Sequence, residues 1–472
     1  MAVTPLSPVS SDALTSLDTQ LTGEAIAYEH PDYDRARRVW NGMIDRRPAL
    51  IARCADPADV VACVNFARVR ELPLAVRGGG HGVAGHALCD AGLVIDLSRM
   101  KWIEIDPDAR TARAQGGCTL GELDRETQRR GLAAPLGVVS RTGIAGLTLS
   151  GGMGWLRRKH GLSCDNLISA QIVTADGRLV TASDDENADL FWAIRGGGGN
   201  FGVVTSFEYR LHPVGPEVFV CFVLYPAERA CAVLRFCERY LDDAPQELAP
   251  IAILGRVSNA GDFPPEARGQ PYVGLLAPYA GDAAEGERVV QPLRELGEPI
   301  ADLSDVMSWT EAQAMLDDDY PVGWRYYWKS VNVHELRDEV IERLIQLAAA
   351  APSPYSTIDV WYQGGAIARI GEQATAFANR SEPYLLGIEG NSEAGAAAEE
   401  NVAWVRETFA DMRSLCGRGV YLNFPGFLEE GEELLREGYG TNYERLRELK
   451  SKYDPTNVFR LNANIEPMKG GR

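Results

Sequence analysis

The chain has 472 residues, an apolar content of 45% and a mean hydropathy of −0.17, which is typical of a globular protein with more than one domain. Its net charge of −19 is spread along the chain without a long basic run, so nucleic acid is not expected as a partner. There is no apolar stretch of about eighteen residues and no leader-like start, so we expect neither a membrane span nor a signal peptide. The nine cysteines show no regular spacing, which predicts reduced thiols and a cytoplasmic protein.

The first part of the chain alternates short strands with helices. Asp56-Pro57 indicates the start of a helix, because both residues fit the first turn. A strand predicted at 72–76 is followed by Arg77-Gly-Gly-Gly-His81-Gly82, where glycines leave the backbone open to a ligand around one histidine. A helix is predicted over 120–130. Further along, the turn at Asp176-Gly177 predicts a hairpin between strands 168–174 and 178–182. Ser183 is a candidate cap for the helix that follows.

The pattern of predicted elements changes near Pro213–Pro216, where we place the boundary between a first domain, 1–213, and a second, 214–419. The sequence of the second domain predicts longer helices alternating with strands, and this pattern indicates an antiparallel sheet covered by helices. The predicted helices are 227–240, 283–296 and 334–350, and the clearest strands are 251–254 and 357–362. From Val420 the tail is predicted to form a strand, a loop and a helix over 442–453.

Two glycine patterns, Gly80-x-Gly82-x-x-Gly85 and Gly197-x-Gly199-x-x-Gly202, match the dinucleotide fingerprint formally. Neither is followed by the helix that a Rossmann site needs, which disfavours a nicotinamide domain. His81, His86 and Cys89 could suggest a metal, but no second ligand pair accompanies them, so ordinary loop residues are favoured. The chain has no Gly-x-Ser-x-Gly elbow and no Walker lysine, which disfavours hydrolases and nucleotide triphosphatases.

Glycine-rich turns recur through the first domain, at 77–82, 116–117, 143–154 and 196–202. Together they predict one extended ligand against the backbone, with its phosphates met by N–H groups. A dinucleotide has about the right size and charge for such a surface.

Several motifs, in their order along the chain, carry a resemblance to a known family. They are Arg77-Gly-Gly-Gly-His81-Gly, Thr142-Gly-Ile-Ala-Gly-Leu147, Gly151-Gly-Met-Gly154-Trp, Asp189-Leu-Phe-Trp192, Asn200-Phe-Gly202-Val-Val204, Tyr421-Leu-Asn423-Phe and Tyr453-Asp-Pro455. The chain resembles the FAD-linked oxidases of the vanillyl-alcohol oxidase superfamily, in the berberine-bridge-enzyme-like and 6-hydroxynicotine-oxidase-like bacterial branch. The match covers nearly the whole chain.

The resemblance implies an α+β fold, in which a two-subdomain FAD-binding domain (1–213) is joined by a substrate domain (214–419) with a helix-covered antiparallel sheet. The segment 420–472 would return to the FAD domain. His81 would attach covalently to the flavin 8α-methyl group, the alternative being an unlinked histidine near a non-covalent flavin. Some members carry a second, cysteinyl link. Its position is Val139 here, so a single link is expected.

The resemblance assigns a set of residues to FAD. They are Arg77, Gly78, Gly79, Gly80, His81, Gly82, Gly117, Thr142, Gly143, Gly146, Leu147, Gly151, Gly154, Asn200, Gly202, Val204, Tyr421 and Asn423. Thr142 stands where the family tunes oxygen access to the flavin, and its small side chain agrees with oxidase behaviour.

The implied reaction removes hydride from a C–H next to O or N of a small aromatic or polycyclic alcohol or amine, and O2 becomes H2O2. Phe424 and Trp361 occupy positions where relatives carry bases, and neither accepts a proton. The remaining candidates for the base are four tyrosines that could equally only pack, namely Tyr326, Tyr327, Tyr362 and Tyr421. A flavin dehydrogenase with another acceptor and a catalytically silent FAD-binding protein stay open as alternatives.

Overall fold

The structure is a computed structural model that describes residues 9–258, 263, 265–395, 398–417 and 419–468. The first part contains α1 (Ser11–Asp18), β1 (Glu24–Ala27), α2 (Tyr33–Ala36), β2 (Leu50–Arg53), α3 (Pro57–Val69), β3 (Leu74–Arg77), β4 (Leu93–Asp96), β5 (Ile103–Asp106), β6 (Thr111–Gln115), α4 (Leu120–Gln128), β7 (Leu132–Ala133), α5 (Ile144–Leu149), α6 (Arg157–His160), β8 (Leu167–Val173), β9 (Leu179–Ser183), α7 (Ala188–Ile194), β10 (Val203–Arg210) and β11 (His212–Pro213). The middle part contains β12 (Glu217–Pro226), α8 (Ala230–Asp243), β13 (Ile251–Arg256), β14 (Pro271–Pro278), α9 (Ala283–Arg294), β15 (Ala301–Asp302), β16 (Asp305–Ser308), α10 (Trp309–Ala314), β17 (Arg325–Val333), α11 (Asp338–Ala349), β18 (Thr357–Tyr362), α12 (Ala366–Arg369), β19 (Tyr384–Ser392) and α13 (Ala398–Cys416). The tail contains α14 (Glu432–Tyr439) and α15 (Tyr443–Tyr453).

The first part is built on two small sheets. One has the strand order β1-β2-β4-β3, with β4 parallel to both neighbours, and the other is antiparallel in the order β5-β6-β10-β8-β9. Helix α3 is capped at its N-terminus by Asp56, whose side chain accepts hydrogen bonds from the backbone N–H groups of Ala58 and Asp59. Its apolar residues pack against β2 and β4 in a shared core. Three of the glycine turns adjoin strands, at the ends of β3 and β6 and before β10, and the fourth, at 143–154, includes α5.

The middle part is one large antiparallel sheet in the order β15-β12-β14-β13-β18-β19-β17, with β16 also paired to β12. Residues from α8, α9, α11 and α13 pack with one face of this sheet in the largest core of the molecule. Because strand side chains alternate, the other face is left for the first part of the chain. This is the predicted α+β fold with a helix-covered antiparallel sheet.

The tail packs back onto the first part. Tyr439, Leu446 and Ile465 share a core with Phe191 and Phe207. A buried Lys450 Nζ donates to the carbonyl of Asn200 at 2.9 Å and to Asp454 at 2.7 Å, so the tail is tied to the second glycine loop. In the described part of the chain, no helix is both long enough and apolar enough to span a membrane.

Most of the predicted elements are confirmed. The helix after Asp56 is α3, and the hairpin is β8 and β9, joined by a turn in which Gly177 has a φ of 81°. The three long helices of the middle part are present, with ends displaced by a few residues. The glycine loop at 197–202 runs directly into strand β10, as predicted.

Two local predictions are wrong. The residues from Val420 to Pro425 form turns, and only one bridge, Lys329 to Pro425, joins them to the sheet. Their backbone is satisfied by other partners, since Tyr421 N–H donates to Ser330 Oγ at 2.9 Å. Ser183 does not cap α7. Its Oγ accepts from the backbone of Asp185 and Glu186 in the preceding turn.

Candidate active site

A cavity of about 950 Å³ lies between the glycine turns of the first part and the helix-free face of the large sheet. Its floor is formed by the loops around 78–87, 137–153 and 198–204 together with tail residues 459–463. Its roof is formed by side chains of β13, β18 and β19 and by the loop 315–324. The fold therefore joins the two regions into a single site.

The floor is built by glycines whose backbones nearly touch. A Cβ on Gly79 would lie 2.4 Å from the Gly143 nitrogen, and a Cβ on Gly143 would lie 2.3 Å from the Gly79 nitrogen. In contrast, a Cβ on Gly82 or Gly146 would meet no described atom within 4 Å. These two glycines line the cavity, so any side chain there would enter the space above the floor.

His81 is held at the floor by aromatic stacking. Its ring lies on Trp40 at a centroid distance of 4.1 Å, and Trp40 lies in turn on Tyr326 at 3.8 Å. Burial lowers the pKa of His81 to about 4, so the imidazole is neutral at physiological pH. Its Nε2 is buried and meets no hydrogen-bond partner among the described residues. The ring thus presents a fixed, neutral nitrogen without a competing bond.

Most of the residues predicted to bind the cofactor line this cavity. They are Gly78, Gly79, Gly80, His81, Gly82, Thr142, Gly143, Gly146, Leu147, Gly202, Val204, Tyr421 and Asn423. Floor residues that the sequence reasoning missed are Ser150, Met153, Phe459, Leu461, Asn462 and Ala463.

Five predicted cofactor residues lie behind the floor in the described structure. The guanidinium of Arg77 pairs with buried Asp96 and donates to the Ala36 carbonyl. Gly117, Gly151 and Gly154 are packed against neighbours that leave no room for a Cβ. Asn200 donates to the carbonyls of Gly197 and Ala463, joining the second glycine loop to the tail. These five residues shape the floor instead of lining it.

The roof contains two buried carboxyl groups that the sequence reasoning missed. Asp359 on β18 and Glu389 on β19 are 5% and 2% exposed, and both line the cavity. In the register of the two strands, Asp359 lies opposite Gly387 and Thr357 lies opposite Glu389. A Cβ on Gly387 would stand 3.5 Å from Trp361 Nε1, 3.6 Å from Asp359 Cβ and 3.8 Å from Glu389 Oε1, so both acids lie beside this glycine.

The surroundings of these carboxyl groups disfavour their ionised forms. Burial raises the pKa of Asp359 to about 7, and the nearby charge of Asp319 acts in the same direction. Burial and the neighbouring Asp359 raise the pKa of Glu389 well above its usual range. Tyr320 donates a hydrogen bond of 2.8 Å to Glu389 Oε2. Two close carboxyls with raised pKa values can accept a proton near neutral pH.

Only one of the four predicted tyrosines lines the cavity. Tyr421 does so, and its hydroxyl accepts from the Met153 backbone at 3.2 Å and from Asn423 Nδ2 at 2.7 Å. Tyr326 lies beneath the Trp40 ring and donates to a backbone carbonyl. Tyr327 and Tyr362 point to the helix-covered face, where their rings are in the large core. The strand alternation that puts Asp359 in the cavity puts Tyr362 on the opposite face.

No cysteine lines the described cavity. Val139, at the position of the family's second link, does line it. Cys164 is buried in a neighbouring core, beside Asp165. Burial raises the pKa of the Cys164 thiol well above its usual range, which keeps it protonated.

Aromatic side chains form the walls between floor and roof. Trp328 meets Phe424 edge to face at 5.3 Å and Tyr320 at 5.4 Å. Trp324 meets Tyr355 at 4.7 Å. These contacts fix the rings against each other and give a rigid apolar wall.

Comparison with known proteins assigns the family. A family model described as "FAD binding domain" matches residues 48–183, and one described as "Berberine and berberine like" matches 420–466. An FAD-linked oxidoreductase of Dictyostelium discoideum is 32% identical over 91% of each chain. The chain belongs to the berberine-like FAD-linked oxidoreductases. It is also 31% identical to (R)-6-hydroxynicotine oxidase of Paenarthrobacter nicotinovorans, over 97% of this chain and 99% of that one.

Solved structures of the family have the same fold. The crystal structure of 6-hydroxy-D-nicotine oxidase from Arthrobacter nicotinovorans matches 99% of this chain and 100% of its own, with a TM-score of 0.82 and 29% identity. A chitooligosaccharide oxidase matches with a TM-score of 0.85 at 24% identity, which shows the shared fold.

The residues of this berberine-like oxidoreductase fit FAD. The floor has glycines where a Cβ would enter the cavity, and a neutral histidine with a buried, unpartnered nitrogen in the described structure. The floor residues and the tail would hold the dinucleotide, and the roof would face its reactive ring from above. This division of the site agrees with the two matched segments, 48–183 and 420–466.

Proposed function

We propose that the protein is an FAD-dependent oxidase that acts on a small aromatic or polycyclic alcohol or amine at the C–H next to O or N. The observation that carries the proposal is the single cavity joining the glycine floor and His81 to the two buried carboxyls of the roof. Bound FAD would supply the hydride acceptor and, once reduced, the reaction with O2 that gives H2O2. The partners are a small-molecule substrate and O2.

A covalent link through His81 is part of the proposal. Attachment needs an imidazole nitrogen with a free lone pair, and burial keeps this ring neutral with Nε2 unpartnered among the described residues. Stacking on Trp40 holds the ring in one orientation. Val139 lines the cavity at the place of the second link, which supports a single attachment.

The proton acceptor we propose is the pair Asp359 and Glu389. A carboxyl with a pKa of about 7 is ionised to a useful extent at neutral pH. Burial raises the pKa of Tyr421 to about 12, so this tyrosine is a poor base and a better hydrogen-bonding partner. Substrate bound beneath the roof would give its O–H or N–H proton to the carboxyl pair.

Oxidase activity is proposed over dehydrogenase activity because two relatives with high coverage are named oxidases. They are (R)-6-hydroxynicotine oxidase, and glucooligosaccharide oxidase of Sarocladium strictum, which is 27% identical over 96% of this chain. Thr142, whose small side chain agrees with oxygen access to the flavin, lines the cavity. The cytoplasmic location stays a prediction.

The test has two parts. Acid precipitation of the purified protein should leave the yellow colour with the pellet, and colour in the supernatant would refute the covalent link. Photoreduced enzyme mixed with air should reoxidise within seconds and release peroxide. Reoxidation over many minutes, with rapid electron transfer to a dye, would refute the oxidase and identify a dehydrogenase.

A further inference from the structure

Trp361 has a buried indole N–H that meets no acceptor. The residue lies on β18, is 4% exposed and lines the cavity. Its Nε1 contacts no hydrogen-bond acceptor among the described residues. The residues paired with it on the two neighbouring strands are Ile251 and Leu385, whose side chains have no polar atom. Leaving such a donor unpaired costs free energy, which an acceptor on a ligand would recover.

The indole N–H and two carboxyl side chains meet beside Gly387. A Cβ on this glycine would lie 3.5 Å from Trp361 Nε1, 3.6 Å from Asp359 Cβ and 3.8 Å from Glu389 Oε1. The Oδ1 atom of Asp359 also has no hydrogen-bond partner in the part of the chain that the structure describes. An indole N–H only donates, whereas a carboxyl group can accept a proton. The two groups therefore complement a ligand atom that has both a lone pair and a proton.

A buried positive charge lies behind Trp361. The guanidinium carbon of Arg157 is 5.2 Å from the centre of the Trp361 ring, and Arg157 is completely buried. Burial lowers the pKa of Arg157 to about 9, so the group keeps its charge at neutral pH. A cation is attracted to the face of an aromatic ring, and its field polarises the indole so that the N–H becomes a stronger donor. The same charge stabilises negative charge that develops on an atom bound to this N–H.

We propose that Trp361 is a substrate-binding residue whose indole N–H donates to the heteroatom that gives its proton to Asp359, and this proposal rests on the proposed oxidase function. The resemblance implies a base at this position in relatives. This chain has a hydrogen-bond donor there instead, and the acid lies two residues earlier on the same face of the strand.

The reaction of a hydroxyl group shows what the bond contributes. The O–H bond breaks and its proton goes to the carboxylate, the C–H next to the oxygen gives a hydride to FAD, and a C=O bond is left. Negative charge builds on the oxygen as the proton leaves, and a donor aimed at that atom lowers the barrier. A protonated amine has no lone pair for this hydrogen bond, so an amine would bind only in its un-ionised form.

The binding test uses phenol and toluene, which have nearly equal shapes and differ in one hydroxyl group. Neither has a C–H on a carbon that carries O or N, so neither is consumed by the proposed reaction. Titration of the holoenzyme, followed by flavin absorbance, should show tighter binding of phenol. In Trp361→Phe the ratio of phenol to toluene affinity should fall about 5- to 10-fold. The matched control is Trp309→Phe, a buried tryptophan of the same core cluster that does not line the described cavity, and its ratio should equal that of wild type.

A second measurement detects the hydrogen bond in the wild-type protein. In holoenzyme with ¹⁵N-labelled tryptophan, phenol should move one indole N–H signal downfield in the NMR spectrum, and toluene should not. That signal should be missing from Trp361→Phe. Phenol binding no tighter than toluene, an unchanged affinity ratio in Trp361→Phe that retains its flavin absorbance, or no downfield shift with phenol would overturn the inference. These results leave the oxidase proposal standing, because its own failure is slow reoxidation of photoreduced enzyme without any ligand.

Discussion

Replacing Asp359 with Asn is expected to stabilise the folded protein at alkaline pH while it removes the proposed proton acceptor. The carboxyl is buried, and the charge of nearby Asp319 disfavours its ionisation further. The folded state therefore holds the proton of Asp359 up to a pKa of about 7. The unfolded chain releases it near pH 4.

The sign and size of the change in stability follow from the difference between the pKa of Asp359 in the folded protein and in the unfolded chain. Because the folded pKa is raised, the associated stability is present below about pH 4 and is lost as the pH rises towards 7. The difference between about 7 and an ordinary value of about 3.9 corresponds to about 4 kcal/mol at pH 8. An amide has no proton to lose, so Asp359→Asn should gain about 3 kcal/mol relative to wild type between pH 5 and pH 8.

The assay is thermal unfolding of the holoenzyme, followed by circular dichroism at pH 5 and pH 8. The variant should melt a few degrees above wild type at pH 8, with a clearly smaller gain at pH 5. Glu335→Gln, an exposed position, should follow wild type at both values. A variant that melts below wild type at pH 8, or whose advantage does not change with pH, would refute the reasoning about this carboxyl.

Three further predictions concern the cavity floor and the contact that Arg157 makes between the first and middle parts of the chain. His81→Ala should release the flavin into the supernatant after acid precipitation, whereas the wild-type protein keeps it in the pellet. Gly79→Ala should lower the FAD content, measured by visible absorbance, because its Cβ would lie 2.4 Å from the Gly143 nitrogen; Gly371→Ala, which meets no described atom within 4 Å, should not. Arg157→Met should destabilise the protein by about 2 kcal/mol, seen as a lower melting temperature, because its buried guanidinium donates to three backbone carbonyls, and two of them, those of Tyr362 and Pro250, belong to the middle part of the chain.

The sequence was informative where backbone geometry dictates residue type. Glycines at 78–82 and 143–146 predicted a surface open to a ligand, and the structure places them on the cavity floor. Helix starts such as Asp56-Pro57 were readable because capping is a local interaction. The same local logic failed at Val420–Pro425, since an apolar and aromatic run does not show whether it has a partner strand.

The roof was harder to predict because it depends on which face of a strand is covered. The resemblance places Trp361 where relatives carry a base, and this residue does line the cavity. A strand repeats its facing every two residues, so the acid that shares this face is Asp359, two residues earlier.

The neighbouring Glu389 could not be connected to Asp359 from the sequence. The two acids are brought together by the pairing of β18 with β19, and this register has no local signal. A carboxylate within the apolar run Ile358–Trp361 could equally face solvent on a half-exposed strand. Asp359 is buried because helices cover one face of the sheet and the cavity floor lies beneath the other face. A buried acid without a basic partner is costly unless a ligand completes it, and for that reason we expect the roof, more than the histidine of the floor, to select the substrate.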